Sequence, residues 1–249
     1  KPKPGLPQEI APGLSRIGVF LAYVPIHHLL FSCLAEDAAS GDGDVALVIT
    51  SANAGGEPLI IDNDTAHHLL NDIADLIVTH DRPIVTPADD SVMTMIDNAP
   101  AFLRRARGFA PEPIDLGDDG PSVIAFGAHQ KTTITITRGR EAFVSQHIGD
   151  LDGSSARRRY HEIAQHLLDF LGVKPEAAAC DLHPDFPSTR IAEEAGLPLL
   201  RVQHHAAHIA AVAAEYQHQG PLLGAALDGY GYGDDGGAWG GELISVVDS

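Results

Sequence analysis

The chain is poor in cysteine and in positive charge, and it has no long apolar run. Only two cysteines occur in 249 residues, Cys33 and Cys180. Two thiols in apolar surroundings exclude a disulfide scaffold and read as buried, reduced groups of a cytoplasmic protein. No hydrophobic stretch reaches the roughly 20 residues a membrane helix needs, and the first residues lack a signal-peptide pattern, so no membrane partner is expected. Lys and Arg number 16 against 34 Asp and Glu, a net charge of -18. That acidity fits a solvated surface and opposes binding to nucleic acid. Internal repeats and low-complexity segments are absent. The first residue is Lys1, and the strand-like Glu242 to Val247 lies close to the end, so a segment of a longer protein is expected.

What remains is globular in character. Hydrophobic residues make up 44% and charged residues 20%, enough for one large core or two ordinary ones. Proline, glycine and acids from Pro111 to Pro121 have the chemistry of a linker between two blocks. In the first block, Val45 to Thr50, Leu76 to Val78 and Val92 to Ile96 read as strands. Asp64 is positioned to cap a helix running to about Ile73. In the second, Val123 to Phe126 reads as a buried strand. Thr132 to Thr137 and Ala142 to Gln146 read as a pair turned at Arg138-Gly139-Arg140. A helix is expected from Ser154 to Leu171, with Ile163, Leu167, Phe170 and Leu171 as its apolar positions, and Ala177 to Cys180 as a strand ending at Asp181. Alternating strands and helices predict an α/β architecture.

Several clusters carry chemistry. His204 and His208 lie four apart in an alanine-rich run, so one helix face could offer both imidazoles to one metal ion. His205 should face elsewhere. Asp228 ends the apolar run from Leu222 and precedes alternating glycines, the way a buried strand delivers a hard oxygen ligand to a metal or magnesium–phosphate site. Ser51 and Asn53 leave a strand into a glycine turn, where hydroxyl and amide can bind phosphate or ribose, or simply bond their own backbone. Arg104, Arg105 and Arg107 can clamp an anion or line a solvated edge. Gly127, Lys131 and Thr132 supply close backbone approach, charge and a hydroxyl, but at the wrong spacing for a phosphate loop; a plain hairpin serves equally. The pairs His27-His28 and His67-His68 lack a carboxylate nearby and read as helix-surface or core residues.

Longer motifs resemble a known family. They are Leu21-Ala22-Tyr23-Val24-Pro25-Ile26-His27-His28, Thr50-Ser51-Ala52-Asn53, Asp89-Asp90-Ser91-Val92 and Leu103-Arg104-Arg105-Ala106-Arg107-Gly108. They continue with Ser145-Gln146-His147-Ile148-Gly149-Asp150-Leu151, Cys180-Asp181-Leu182-His183-Pro184-Asp185, the histidine run and Trp239-Gly240-Gly241-Glu242. In this order they resemble the HypF family, the carbamoyltransferases of nickel–iron hydrogenase maturation. The chain departs from that pattern at Pro87 and Ala88, at Thr94 and Met95, and at His129.

The resemblance implies that residues 1–115 are the later part of a YrdC-like domain that forms carbamoyl adenylate. Residues 121–249 would be the first lobe of an actin/sugar-kinase-like, TsaD-like carbamoyl-transfer domain. It implies carbamoyl phosphate and ATP as substrates, magnesium, and a zinc or iron ion held by His204, His208 and Asp228. Ser51, Asn53, Ser91, Arg104, Arg107, Gly127, Lys131 and Thr132 would bind nucleotide. The carbamoyl group would pass to the C-terminal cysteine of a HypE-like partner, on the way to the cyanide ligand of the hydrogenase; no side chain of this chain is assigned as nucleophile. Two other readings are a non-catalytic nucleotide- and metal-binding fragment, and a YrdC–TsaD fusion for tRNA threonylcarbamoylation, which the acidity disfavours.

Overall fold

The computed structural model describes residues 8–37, 45–53, 55 and 57–247, and the chain divides into two compact units, 1–51 and 52–249. Within the first unit, a short 3₁₀ turn at Gln8–Ile10 precedes helix α1, Pro25–Asp37. Proline at the first helical position suits it, because that N–H has no intrahelical partner. His27 and His28 both lie in α1, where His27 meets the ring of Tyr23 edge-on at 5.1 Å. Cys33 is exposed on this helix, which corrects its reading as buried. Residues 45–50 form no ladder and are exposed. Their apolar pattern is that of a strand, but a strand needs a hydrogen-bonded neighbour, and none of the described strands pairs with them.

The second unit opens with α2, Asn63–Leu70. Its cap is Asp62, whose carboxylate accepts the Thr65 N–H at 2.8 Å, not Asp64. The helix stops at Leu70, three residues short of the expected end, as Ile73 and Ala74 both donate back to the Leu70 carbonyl. Residues 76–78 lie outside any ladder. Strands β1, Val92–Ile96, and β2, Ala99–Arg104, form a hairpin. Asp97 and Asn98 turn it, both at positive φ (48° and 63°), as the two-residue turn matching strand twist requires.

A five-stranded sheet follows, in the order β3 (Pro113–Gly120), β5 (Thr135–Val144), β4 (Val123–Ala125), β6 (Ala177–Asp181) and β7 (Leu199–Val202). The expected linker is largely its edge strand, β3, Pro113–Gly120. Proline and acids are tolerated there because one edge has no ladder to maintain. Asp115 fixes β3 to β5 by accepting two bonds from Arg140, each 2.9 Å. The run β5, Thr135–Val144, doubles back on itself. Ser145 N–H reaches the Ile134 carbonyl at 2.8 Å, whereas straight extended chain would separate those residues by about 36 Å. Gly139, at φ 60°, lies at the turn, as the sequence predicts. One arm of β5 pairs with β4, Val123–Ala125, and the other with β3.

Strands β6, Ala177–Asp181, and β7, Leu199–Val202, run parallel to β4. Helix α3, Ser154–Leu171, and helix α4, Pro187–Glu194, make the crossovers. Ala156, Tyr160, Ile163, Ala164, Leu167 and Leu171 form the buried stripe of α3, and the last five share one core with Ile124, Phe126, Ile134 and Ile136. Phe170 is 68% exposed instead; at 100° per residue it falls at the margin of that stripe. Gly172, at φ 63°, ends the helix by donating to the Asp169 and Leu168 carbonyls.

Helix α5, His204–Glu215, follows β7, and the ribbon of β8, Leu222–Tyr232, and β9, Ala238–Val246, closes the unit. A Cβ on Gly224 of β8 would sit 2.5 Å from Ile209 of α5, so glycine allows this close packing. β8 is not buried on both faces: Ala226 is buried, but Leu223 and Leu227 are 72% and 87% exposed. A two-stranded ribbon covered on one side alternates with period two, and a run of apolar residues does not reveal which side is covered.

Candidate metal centre

Three elements converge at one end of the parallel strands. β6 ends at Asp181, paired in register with Val202 at the end of β7. α5 starts two residues later, capped by Gln203, whose side-chain oxygen accepts the Ala206 N–H at 2.8 Å. The third is β8, where the register with β9 slips between Leu227 and Gly231. Asp228 therefore lies in a bulge, a device that re-aims a side chain. Gly229 N–H donates to its Oδ1 at 2.7 Å, leaving Oδ2 for other partners.

His204, His208 and Asp228 meet there as one group able to hold a metal ion. His204 Nε2 lies 2.9 Å from Asp228 Oδ2, His208 Nε2 3.6 Å from the same oxygen, and the two Nε2 atoms are 3.2 Å apart. Ligand atoms bound at about 2.0–2.2 Å to one tetrahedral ion are roughly 3.3–3.6 Å apart. The spacing and the two-imidazole, one-carboxylate donor set thus fit zinc or a similar ion with one position left open. His204 titrates above the ordinary histidine value. Its bond to Asp181 is the main cause, desolvation opposes it, and the Asp181 and Asp228 charges add. Burial raises the Asp228 carboxyl, but the Gly229 N–H and His204 together hold it below the usual range.

His205 points elsewhere, as expected. It is fully buried, and its Nδ1 lies 2.9 Å from the amide nitrogen of Gln203. Because the Gln203 oxygen already serves as the helix cap, that nitrogen must donate and Nδ1 accepts. The glycines after Asp228 have a packing role that sequence alone does not reveal. A Cβ on Gly231 would collide with His205, and one on Gly233 with the Trp239 ring.

The candidate nucleotide residues are more dispersed. Ser51, in the first unit, is exposed. Asn53 donates to the Glu57 carbonyl at 2.8 Å. Ser91 is a clasp: its hydroxyl donates to the Arg107 carbonyl and accepts the Ala106 N–H, each at 2.9 Å. Arg107 donates to the Ala88 carbonyl at 2.7 Å and faces Asp90 at 3.5 Å. Arg104 is exposed, and its charge is felt at His147, whose pKa is lowered by burial first and then by that guanidinium. Gly127, at φ 61°, leaves no room for a Cβ beside the Thr133 carbonyl, 2.8 Å away. Lys131 N–H donates to Asp150 at 2.7 Å, and Thr132 is buried with its N–H on the Gly149 carbonyl. The glycine–lysine loop is thereby fastened to the Ser-Gln-His-Ile-Gly-Asp-Leu segment.

Arg105 separates from its neighbours. It donates to the carbonyls of Phe109 and Glu112 at 2.7 Å each, and to Val144 at 3.5 Å. Arg105→Ala is expected to destabilise the fold by about 1.5–3 kcal/mol, the scale of bonds to a charged group. Arg104→Ala, at an exposed position, should stay within about 0.5 kcal/mol. Urea denaturation of the two variants decides; equal midpoints would make Arg105 another surface residue.

Comparison with known proteins decides the family. Residues 118–215 match the HypF Kae1-like domain, and residues 1–106 match the Sua5/YciO/YrdC family described as telomere recombination. Carbamoyltransferase HypF of Rhizobium leguminosarum bv. viciae is 62% identical over 237 residues, covering 95% of this chain and 31% of the relative. The chain belongs to the HypF family. The probable carbamoyltransferase HypF of Methanocaldococcus jannaschii is 36% identical, covering 94% of this chain and 30% of the relative. A crystal structure of full-length HypF in the phosphate- and nucleotide-bound form superposes with a TM-score of 0.85 at 40% identity, over 93% of this chain and 35% of that one. The chain therefore spans about a third of the length of these HypF relatives, and within it the matched Kae1-like region contains His204 and His208.

Two features that the sequence does not assign stand out beside the motifs. Asp181 closes on His204, and the partly buried His147 feels the charge of Arg104. Both lie inside family motifs, but neither has the histidine-pair spacing that marks a ligand. Cys180 is buried, and burial raises its thiol pKa, as an inert reduced cysteine requires. Among the described residues, no helix is long and apolar enough to cross a membrane.

Proposed function

We propose that this chain is the carbamoyl-handling part of a HypF enzyme of nickel–iron hydrogenase maturation. The observation that carries the reading is the convergence of His204, His208 and Asp228 at ligand spacing in a chain 62% identical to a carbamoyltransferase HypF. Residues 1–115 act as the carbamoyl-adenylate-forming block and residues 121–249 as the transfer block. Carbamoyl phosphate, ATP and magnesium are the inputs. Carbamoyl adenylate is the intermediate, and a HypE-like C-terminal cysteine is the acceptor.

In this scheme Ser51, Asn53, Ser91, Arg104 and Arg107 hold phosphate and carbamoyl groups by charge and hydrogen bonding. Gly127, Lys131 and Thr132 approach the phosphates in the second block. The two histidines and Asp228 would hold a zinc or iron ion, which would supply Lewis-acid polarisation of the carbamoyl carbonyl. Asp228 and the two imidazoles orient that group, and the attacking thiolate comes from the partner, consistent with a buried Cys180. The net charge of -18 favours this reading over a tRNA substrate.

Calorimetric titration with ATP tests binding in this chain. Arg104→Ala is expected to weaken it about 10- to 100-fold, the equivalent of roughly 1.5–3 kcal/mol for a charged hydrogen bond. Unchanged affinity would make Arg104 a solvated residue. In the complete reading frame, ATP, carbamoyl phosphate and a HypE-like thiol should yield pyrophosphate, phosphate, AMP and the carbamoylated cysteine, the last read by mass spectrometry. ATP binding without carbamoylation would favour a nucleotide-binding module, and threonylcarbamoylated tRNA as product would favour the fusion reading.

A further inference from the structure

His204 presents opposite ring edges to two carboxylates. Its Nε2 faces Asp228 and His208, while Nδ1 lies 2.6 Å from Asp181 Oδ2. The Asp181 side chain is only 5% exposed. Its other oxygen, Oδ1, accepts the His183 N–H at 2.8 Å, so the carboxylate cannot swing away without breaking a second bond. The backbone holds it too, since Asp181 is the last residue of β6 and is in register with Val202, two residues before His204. Among the described residues Asp181 is not one of the clustered ligands, because it touches the edge of the ring that points away from them.

We propose that Asp181 is a positioning residue for the metal centre, setting which nitrogen of His204 carries the proton. A carboxylate only accepts, and Asp228 also faces the ring, at Nε2; but Asp181 is closer, 2.6 Å against 2.9 Å, and more buried, 5% exposed against 31%, so in the neutral ring Nδ1 is the nitrogen that donates. The Nδ1–H tautomer leaves the Nε2 lone pair open toward the ion. Free neutral imidazole favours the other arrangement, in which a proton on Nε2 would occupy the direction the ion needs. The device places the orienting group on β6 and the ligand on α5, so the pairing of β6 with β7 sets the ring angle. The inference rests on the reading of His204, His208 and Asp228 as a metal site.

Nitrogen-15 NMR of the histidine rings in metal-free protein, at a pH where they are neutral, reads the tautomer directly. The wild-type chain is expected to show His204 as Nδ1–H. Asp181→Ala should shift it toward Nε2–H and weaken zinc binding, measured by chelator competition, about 10- to 100-fold, as for other partners of metal-bound histidine. Asp181→Asn keeps a carbonyl acceptor and should retain the tautomer and most of the affinity. If the alanine variant fails to fold, the wild-type tautomer and the asparagine variant still decide. A wild-type ring protonated at Nε2 in a protein that binds zinc would overturn the role of Asp181 alone. So would an unchanged tautomer in a folded Asp181→Ala. A wild-type Nδ1–H ring in a chain that takes up no zinc would overturn the metal reading itself.

Discussion

Zinc or iron binding is expected to disappear when His204 and His208 are both changed to alanine. Four-ligand protein zinc sites are worth about 10–16 kcal/mol, so each ligand accounts for roughly 3–4 kcal/mol, on the order of 10²–10³-fold in affinity. Losing two of the three clustered ligands leaves only Asp228, too little to hold an ion against buffer. Elemental analysis of protein purified without a histidine tag provides the measurement, and undiminished metal in the double variant would place the ion elsewhere. The wild-type affinity should also depend on pH in a stated direction. A proton and the ion compete for Nε2 of His204, whose pKa is raised chiefly by its bond to Asp181. Affinity should therefore climb with pH through a midpoint above the ordinary histidine value of about 6.5 and then level off. Folding stability of the metal-free chain runs the opposite way at this group. The raised pKa contributes stability that is fully present below the unfolded value and is lost as pH rises through the folded one. Affinity that stays flat from about pH 6 to 8, where histidine changes charge, would remove His204 from the ligand set.

Tyr160→Ala should cost about 3–5 kcal/mol of folding stability, the range for a buried aromatic truncated to alanine. Tyr160 is fully buried in α3, packs 6.3 Å from the Phe126 ring, and donates its hydroxyl to the Phe126 carbonyl at 2.5 Å. Burial pushes its pKa far up, so the hydroxyl stays a donor. Tyr160→Phe keeps the ring and should cost less, about 1–3 kcal/mol, because a buried carbonyl loses its partner. Phe126 directly follows β4 and directly precedes Gly127, so the bond also locates the glycine–lysine loop. Urea titration of the two variants against wild type gives the ordering. A phenylalanine variant as unstable as the alanine one would show that the hydroxyl, not the packing, dominates.

The second half of the chain was the more legible. The period of α3, the short β4 and β6 strands and the turn at Gly139 are local patterns, and each appears where the residues suggest. The nearness of His204 to His208 was legible for the same reason, since a four-residue spacing within one helix is local geometry. Asp228, expected to end a strand, lies instead inside β8 at its bulge. Where the sequence misled, a partner decided. Pro113 to Gly120 has linker composition yet becomes β3, because an antiparallel arm of β5 is available to pair with it. Residues 45–50 have strand composition but pair with no described strand. Asp62 captures the cap from Asp64 because its side chain, not the neighbour's, reaches the Thr65 N–H.

The amino-acid sequence by itself determined the α/β class, the α3 stripe, the pairing of His204 with His208 and the departure of His205 from them. Those features depend on spacing along one element, which the chain carries with it. Only the tertiary structure decided that Asp228 sits in a bulge facing those histidines, that Gly231 is needed to admit His205, that Arg105 ties down carbonyls while Arg104 stays exposed, and that Asp181 grips the far edge of His204. Each of these joins residues from separate elements. Hydrogen-bond direction and close packing act over a few ångströms of space, and no spacing along the chain encodes which distant groups the sheet will bring within that reach.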